Sequence, residues 1–145
     1  MYKHVLIPTD GSDLSSKAEA AGLTLAKTLR AKATALTVTR PFQFIGTEPM
    51  LMIATAPEYE KAQAERAAKP LERVKATAAA IGVSVETTRV VSDQPFDAII
   101  ATAKERGCDL IFMASHGRRG LSGLILGSET VKVLTHAKIP VLVYR

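Results

Sequence analysis

The residues best suited to chemistry lie in one glycine-rich stretch, Met113-Ala-Ser-His-Gly-Arg-Arg-Gly-Leu-Ser-Gly-Leu-Ile-Leu-Gly-Ser128. It follows an apolar run, Asp109-Leu-Ile-Phe-Met-Ala114, that reads as a buried strand, and it precedes Glu129-Thr-Val-Lys-Val-Leu-Thr-His136, which reads as a helix. Between a strand and a helix start, glycines let main-chain N–H groups approach a ligand closely, and the helix start adds a positive partial charge. Phosphate is the natural guest of such a place. Gly117 and Gly127 would give that approach, and Ser128 is the expected N-cap of the helix, with its hydroxyl free to serve phosphate oxygens instead. The competing reading is a plain loop with an ordinary cap. His116 beside it could act as acid, base or hydrogen-bond donor, but no nucleophile, base and orienting partner stand together here.

A second loop, Pro8-Thr-Asp-Gly-Ser12, follows the first apolar run His4-Val-Leu-Ile7. If the two strands are neighbours, both loops face one crevice, and Asp10 could meet a ribose hydroxyl, an adenine amine or a bound magnesium. Asp-Gly-Ser is also an ordinary turn and helix start, so that reading stays open. The spacing Gly117-x-x-Gly120-x-x-Gly123 matches neither G-x-x-x-x-G-K-[ST] nor G-x-G-x-x-G.

The elements that must position these loops alternate from end to end. Ser12 or Asp13 can cap a helix whose stripe is Ala18, Ala21, Leu25 and Leu29. Ala35-Leu-Thr-Val38 reads as a second strand. Residues 41–56 read as an irregular, apolar segment, of the kind that is functional or packs over a sheet edge or partner. Pro57 opens a helix that ends at Gly82 and should break near Ala68–Lys69 because of Pro70. Val83–Thr87 alternates as a half-exposed edge strand. Pro95 opens a third helix ending at Gly107, Leu110–Ala114 is the fourth strand, and Ile139–Tyr144 the fifth. This alternation predicts one α/β domain over residues 1–145: a doubly wound parallel sheet with helices on both faces, its ligand site beyond the strand ends where strand order reverses.

Composition narrows the rest. Hydrophobic residues are 47% and charged residues 23%, an ordinary globular balance, and aromatics at 5% with no Trp argue against a nucleic-acid stacking platform. The net charge of +5 is dispersed without a long basic run. The single cysteine, Cys108, reads as a small apolar filler and fits a reducing compartment. No apolar run approaches the ~18 residues of a membrane span, and the N-terminus lacks a secretion-signal layout, so the cytoplasm is the expected location.

The chain resembles the universal stress protein family. Its nucleotide-binding members carry G-x-x-G, nine residues, then G-[ST]; here the frame is Ala114-Ser-His-Gly117, nine residues, then Gly127-Ser128. Ile7-Pro-Thr-Asp-Gly-Ser12, Leu36-Thr-Val38 and Lys138-Ile-Pro-Val-Leu-Val143 resemble the family in the same register. The resemblance implies strand order 3-2-1-4-5 and a homodimer, often through the last strand, here 139–144. It implies that Asp10 and Val38 hold the adenosine end, and that Gly117, Gly127, Ser128 and nearby N–H groups hold the phosphates. The full nucleotide-binding set so implied is Pro8, Thr9, Asp10, Val38, Met113, Ala114, Ser115, His116, Gly117, Arg118, Gly127, Ser128, Glu129 and Thr130. Two positions depart. Ala114 replaces the first glycine, so its methyl is expected to crowd the ribose or first phosphate. Glu129 lies where it would repel a triphosphate by about 4 kcal/mol per charge pair unless magnesium or Arg118 offsets it or it turns away.

The expected function is therefore a stress-response module that binds ATP, or ADP or AMP, with Mg2+, for which Asp10 is the one candidate ligand, and carries no efficient catalysis. Two rivals stand beside it. One is a nucleotide-free dimeric interaction protein that meets partners through the apolar 42–53 segment. The other is a slow ATPase or phosphotransferase, with Ser115, Ser122 and Ser128 near the phosphates.

Overall fold

The computed structural model describes residues 1–43, 46–47, 49–118 and 125–145, with backbone alone over 49–54. Among the described residues nine elements alternate: β1 His4–Pro8, α1 Asp13–Leu29, β2 Lys32–Thr39, α2 Pro49–Ile81, β3 Val85–Val91, α3 Pro95–Glu105, β4 Leu110–Ala114, α4 Ser128–His136 and β5 Val141–Tyr144. All strand pairs are parallel, and the order is β3-β2-β1-β4-β5. The chain winds outward from β1 to β3, returns to β4 on the other side of β1, and continues to β5. Strand order therefore reverses between β1 and β4, where Val5 pairs with Leu110 and Leu6 with Ile111.

Side-chain alternation along the strands feeds two core layers. Val5, Ile7, Ala33, Ala35, Leu110, Phe112 and Ala114 pack with Ala18, Leu23 and Ala26 of α1 and Leu71, Val74 and Ala78 of α2. Leu6, Leu36, Ile111 and Met113 face the other way, onto Ile99 and Ala103 of α3, Cys108 and Val133 of α4. A sheet covered on both faces wants apolar residues in both alternating sets, which is why β1 and β4 read as continuous apolar runs. Gly22 brings α1 close: an added Cβ would lie 3.1 Å from Ile7 and from Phe112. Cys108 is buried, and burial pushes its thiol pKa up to about 11, so it stays protonated and inert.

Several boundaries differ from the sequence reading. Strand β2 runs the full Lys32–Thr39. Strand β3 starts at Val85 because the amides of Gly82 and Val83 turn back to the carbonyls of Ala79 and Ala78, closing α2 with Gly82 at φ +75°. Strand β5 starts at Val141 because Pro140 has no N–H, although its carbonyl still accepts from Ile111 N at 3.0 Å. Helix α2 begins at Pro49 and runs through both Pro57 and Pro70. The expected break at Ala68–Lys69 is absent. Each proline deletes one backbone hydrogen bond, but Pro70 is buried, with its ring 3.7 Å from where a Gly11 Cβ would stand. Packing of that ring holds the helix together across the missing bond. Much of the supposed irregular segment 41–56 is thus helical; Phe44 and Ile45 of the 42–53 partner surface lie outside the described residues, and Phe42 packs on Tyr59 with ring centroids 5.4 Å apart. Among the described residues no helix is long and apolar enough to cross a membrane.

Candidate functional site

The loop after β1 is built by its own side chains. Thr9 N still donates to Leu36 O at 2.8 Å, Gly11 adopts φ +78°, and Ser12 caps α1, its Oγ accepting from Ser15 N at 3.2 Å. Asp10 Oδ1 accepts from Ser12 N at 3.0 Å, the short-range turn its sequence suggests. Its Oδ2 reaches across 108 residues to accept from Arg118 N at 2.8 Å in the glycine-rich loop. Gly117 makes this contact sterically feasible, because any Cβ there would overlap Asp10 Oδ2. The Arg118 guanidinium then lies over Gly11, its Nη2 2.8 Å from where a Cβ would be. Burial would raise the Asp10 pKa, but hydrogen bonds from Ser12, Arg118 and Ser15 outweigh it and hold the carboxyl below its ordinary 3.8.

A buried polar network supports this loop from behind. Thr9 Oγ1 donates to Glu19 Oε1, accepts from Gly11 N at 3.2 Å and lies 3.1 Å from Ser15 Oγ. Glu19, 2% exposed, is held bidentately by Arg73 of α2 at 2.7 and 3.0 Å. A carboxylate this deeply buried is tolerable only because both its oxygens are engaged. Sequence reading did not identify Glu19 or Arg73. The only signal was a glutamate one residue from the apolar stripe of α1, flanking Ala18.

At the other loop, Ser115 N donates to Tyr144 O at 2.7 Å, and Ser115 O accepts from Gly127 N at 2.8 Å. These bonds pin both ends of the glycine-rich segment. Gly120, Ser122 and Gly123, with the rest of 119–124, lie outside the described residues. Gly127, not Ser128, is the N-cap of α4, with φ −62° and ψ 149° and no side-chain cap. Gly127 O takes the first helical bond, from Val131 N at 3.0 Å, so Ser128 is already inside the helix. Among the described residues nothing accepts from the amides of Ser128, Glu129 and Thr130. Thr130 Oγ1 instead donates to Ala114 O at 3.1 Å.

Both departing positions, Glu129 and Ala114, border the cavity, and each has protein partners of its own. Glu129 Oε2 accepts from Phe96 N at 2.8 Å, capping α3, and its Oε1 pairs with Lys132 at 3.1 Å. Its charge is committed to a second helix start, where it complements the dipole. Ala114 is buried and belongs to the α1-side core with Phe112 and Leu110.

Between the loops lies a cavity of about 400 Å³. Its wall contains Pro8, Thr9, Asp10, Val38, Met113, Ala114, His116, Gly117, Arg118, Gly127, Ser128, Glu129 and Thr130. Ser115 stands behind the wall, and His116 Nδ1 lies 3.2 Å from its Oγ. The wall also includes Ser15, Leu36, Arg40, Pro95 and Ile99, which sequence reading missed. Leu36 and Arg40 flank Val38 at the two-residue period of a strand, so that period could have found them. Pro95 and Ile99 come from α3 across the sheet edge, and no local signal marked them.

The family model described as the universal stress protein family matches residues 1–145. The chain belongs to that family. Among universal stress proteins, YxiE of Bacillus subtilis is 35% identical over 150 residues, covering all of both chains. The structure of UspA from Lactobacillus plantarum superposes with a TM-score of 0.79 at 27% identity, covering 99% of this chain and 98% of that one. A universal stress protein solved in complex with cAMP superposes with a TM-score of 0.68 at 27% identity, covering 99% and 97%.

Two predictions follow from the Asp10 contact. Gly117→Ala should destabilise the protein by about 1–3 kcal/mol, read from urea unfolding, whereas in an Asp10→Ala background the same change should cost much less. Additive costs would show that the two residues do not meet. In the pH dependence, the folded pKa of Asp10 is depressed, so its contribution is complete above 3.8 and is lost as pH falls through the lowered folded value. The stability gap between wild type and Asp10→Asn should therefore be constant near neutrality and shrink only in that acid range. A gap that closes at neutral pH would contradict the assignment.

Proposed function

We propose that this protein binds an adenine nucleotide in the cavity between β1 and β4, ATP foremost and ADP or AMP as alternatives, and works as a homodimeric regulatory module of the cytoplasmic stress response. The observation that carries this reading is the open start of α4. Three amides that no described residue engages, with the helix dipole, border a cavity whose size suits a small-molecule ligand. Phosphates sit there, beside Gly117 and Gly127. The opposite end of the cavity is apolar, from Pro8, Leu36, Val38, Ile99 and Met113, and suits a base, with Asp10 beside the ribose. The cAMP complex of a related universal stress protein supports adenine as that base.

The side chains also fit this charge pattern. Glu129 is ion-paired with Lys132 and accepts from Phe96 N, so a triphosphate does not meet a free carboxylate at the helix start. Among the described residues no three of His, Cys, Asp and Glu gather. Magnesium would then enter with the phosphates and take Asp10 as its protein carboxylate, using lone pairs left by Ser12 N and Arg118 N. It would supply charge neutralisation there.

Calorimetry with ATP, ADP and AMP, each with magnesium, should show saturable binding with Kd on the order of micromolar and a raised melting temperature. No heat and no thermal shift at millimolar ATP would overturn the reading. The dimer is expected through β5, an uncovered sheet edge where Leu142 is 40% exposed beside Val131 and Leu134 of α4, at 46% and 42%. Leu142→Glu should shift the sedimentation coefficient from dimer to monomer with the fold intact; an unchanged dimer would move the interface elsewhere.

A further inference from the structure

A second cavity, of about 320 Å³, opens off the first between the end of β2 and α2. The two share Asp10, Val38, Arg40 and Arg118, and α2 supplies the far wall with Tyr59, Gln63 and Arg66. Three guanidiniums therefore border one small space. Three arginines elsewhere are ion-paired: Arg73 with Glu19, Arg89 with Glu60 and Arg106 with Glu86. Among the described residues Arg40, Arg66 and Arg118 have no carboxylate within ion-pair distance. The carboxylate in this wall, Asp10, is committed to the amides of Ser12 and Arg118. With three guanidiniums against the one Asp10 carboxylate, the described lining of the cavity is net positive.

The backbone around it is fixed. Tyr59 Oη donates to Arg40 O at 3.3 Å, tying α2 to the exit of β2, and Arg89 Nε donates to Thr39 Oγ1 on the floor at 2.8 Å. Guanidinium forks match phosphoryl oxygens in geometry as well as charge, which favours phosphate over a simple anion. The position of the cavity says what carries that phosphate. It branches off beside Asp10 and Val38, the adenosine end, and not beyond the start of α4. We propose that the arginine-walled cavity binds a second phosphoryl group, borne on the ribose of the nucleotide in the neighbouring cavity, an inference that rests on the nucleotide reading above.

Arg66 borders only the second cavity, is exposed on α2 and is not part of the nucleotide wall. Calorimetry should compare AMP, adenosine 3′,5′-bisphosphate and pyrophosphate on wild type, Arg66→Gln and Lys104→Gln, the last a distant charge control on α3. The bisphosphate should bind about tenfold tighter than AMP, the scale of one charge-assisted hydrogen bond. Arg66→Gln should remove that gain and leave AMP unchanged, and Lys104→Gln should preserve it. Equal affinities for AMP and the bisphosphate overturn the proposal. Pyrophosphate binding that depends on Arg66 without any gain for the bisphosphate supports a phosphoryl site but overturns its attachment to ribose. Failure of AMP itself to bind removes the nucleotide reading, and the pyrophosphate arm then decides the cavity alone.

Discussion

The Asp10 carboxylate spans two loops that the chain keeps 108 residues apart, and the shape of the crevice follows from that bridge. A parallel sheet brings the carboxyl ends of β1 and β4 side by side, but it does not determine how the loops beyond them lie. One oxygen turns the β1 loop back on itself through Ser12 N, and the other draws in Arg118 N. The bridge has a steric condition, glycine at 117, and a consequence, the Arg118 guanidinium laid over Gly11. Because hydrogen bonds to the ionised form outweigh the cost of burial, the carboxylate stays charged across the neutral range and the bridge persists with it.

The bridge could not hold its geometry on a loose loop. Thr9 supplies the stiffness, its hydroxyl shared among Glu19, Gly11 N and Ser15. Glu19 in turn reaches Arg73, so α2 is tied to the site through a chain of bonds although none of its described side chains lies in the first cavity's wall. Pro70, on the same helix, lies close to Gly11, its ring 3.7 Å from where a Cβ would stand. A movement of α2 therefore acts on the Asp10 loop by two independent contacts, one polar and one apolar.

Where the sequence was informative, it was so because one residue type served one local purpose. Apolar runs bounded by Pro8 and Ala114 marked the strands, glycines 82 and 107 marked helix ends with positive φ, and Ser12 marked a helix start. Alternation then forced a parallel, doubly wound sheet, and the crevice at its reversal followed. Reading failed where a residue's role depends on something distant in sequence. Pro70 signals a break in isolation and is tolerated because its ring is buried. Val83 looks like strand, yet its amide belongs to the end of α2. Ser128 looks like a cap, but the closure of Gly127 N onto Ser115 O starts the helix one residue earlier. Of the site, both loops could be read in the chain; the wall from α3 and the Glu19–Arg73 support could not, since neither has a periodic or motif signature.

The shift of the cap from Ser128 to Gly127 bears directly on what the cavity can hold. A serine N-cap would spend its side chain on the helix's own amides, leaving less for a ligand. A glycine cap has no side chain to spend, so among the described residues those amides remain without an acceptor. Glu129, one position further, would defeat the arrangement if it turned inward. It is held away because α3 also starts uncapped: Gln94 makes no side-chain cap bond, and Phe96 N takes Glu129 instead. One helix start is thus satisfied by a carboxylate from the other, and the other is left open to solvent-borne anions. The division of labour between the two helix starts makes the mouth of this sheet electropositive, and it does so through main-chain groups that substitution of surface side chains would leave in place.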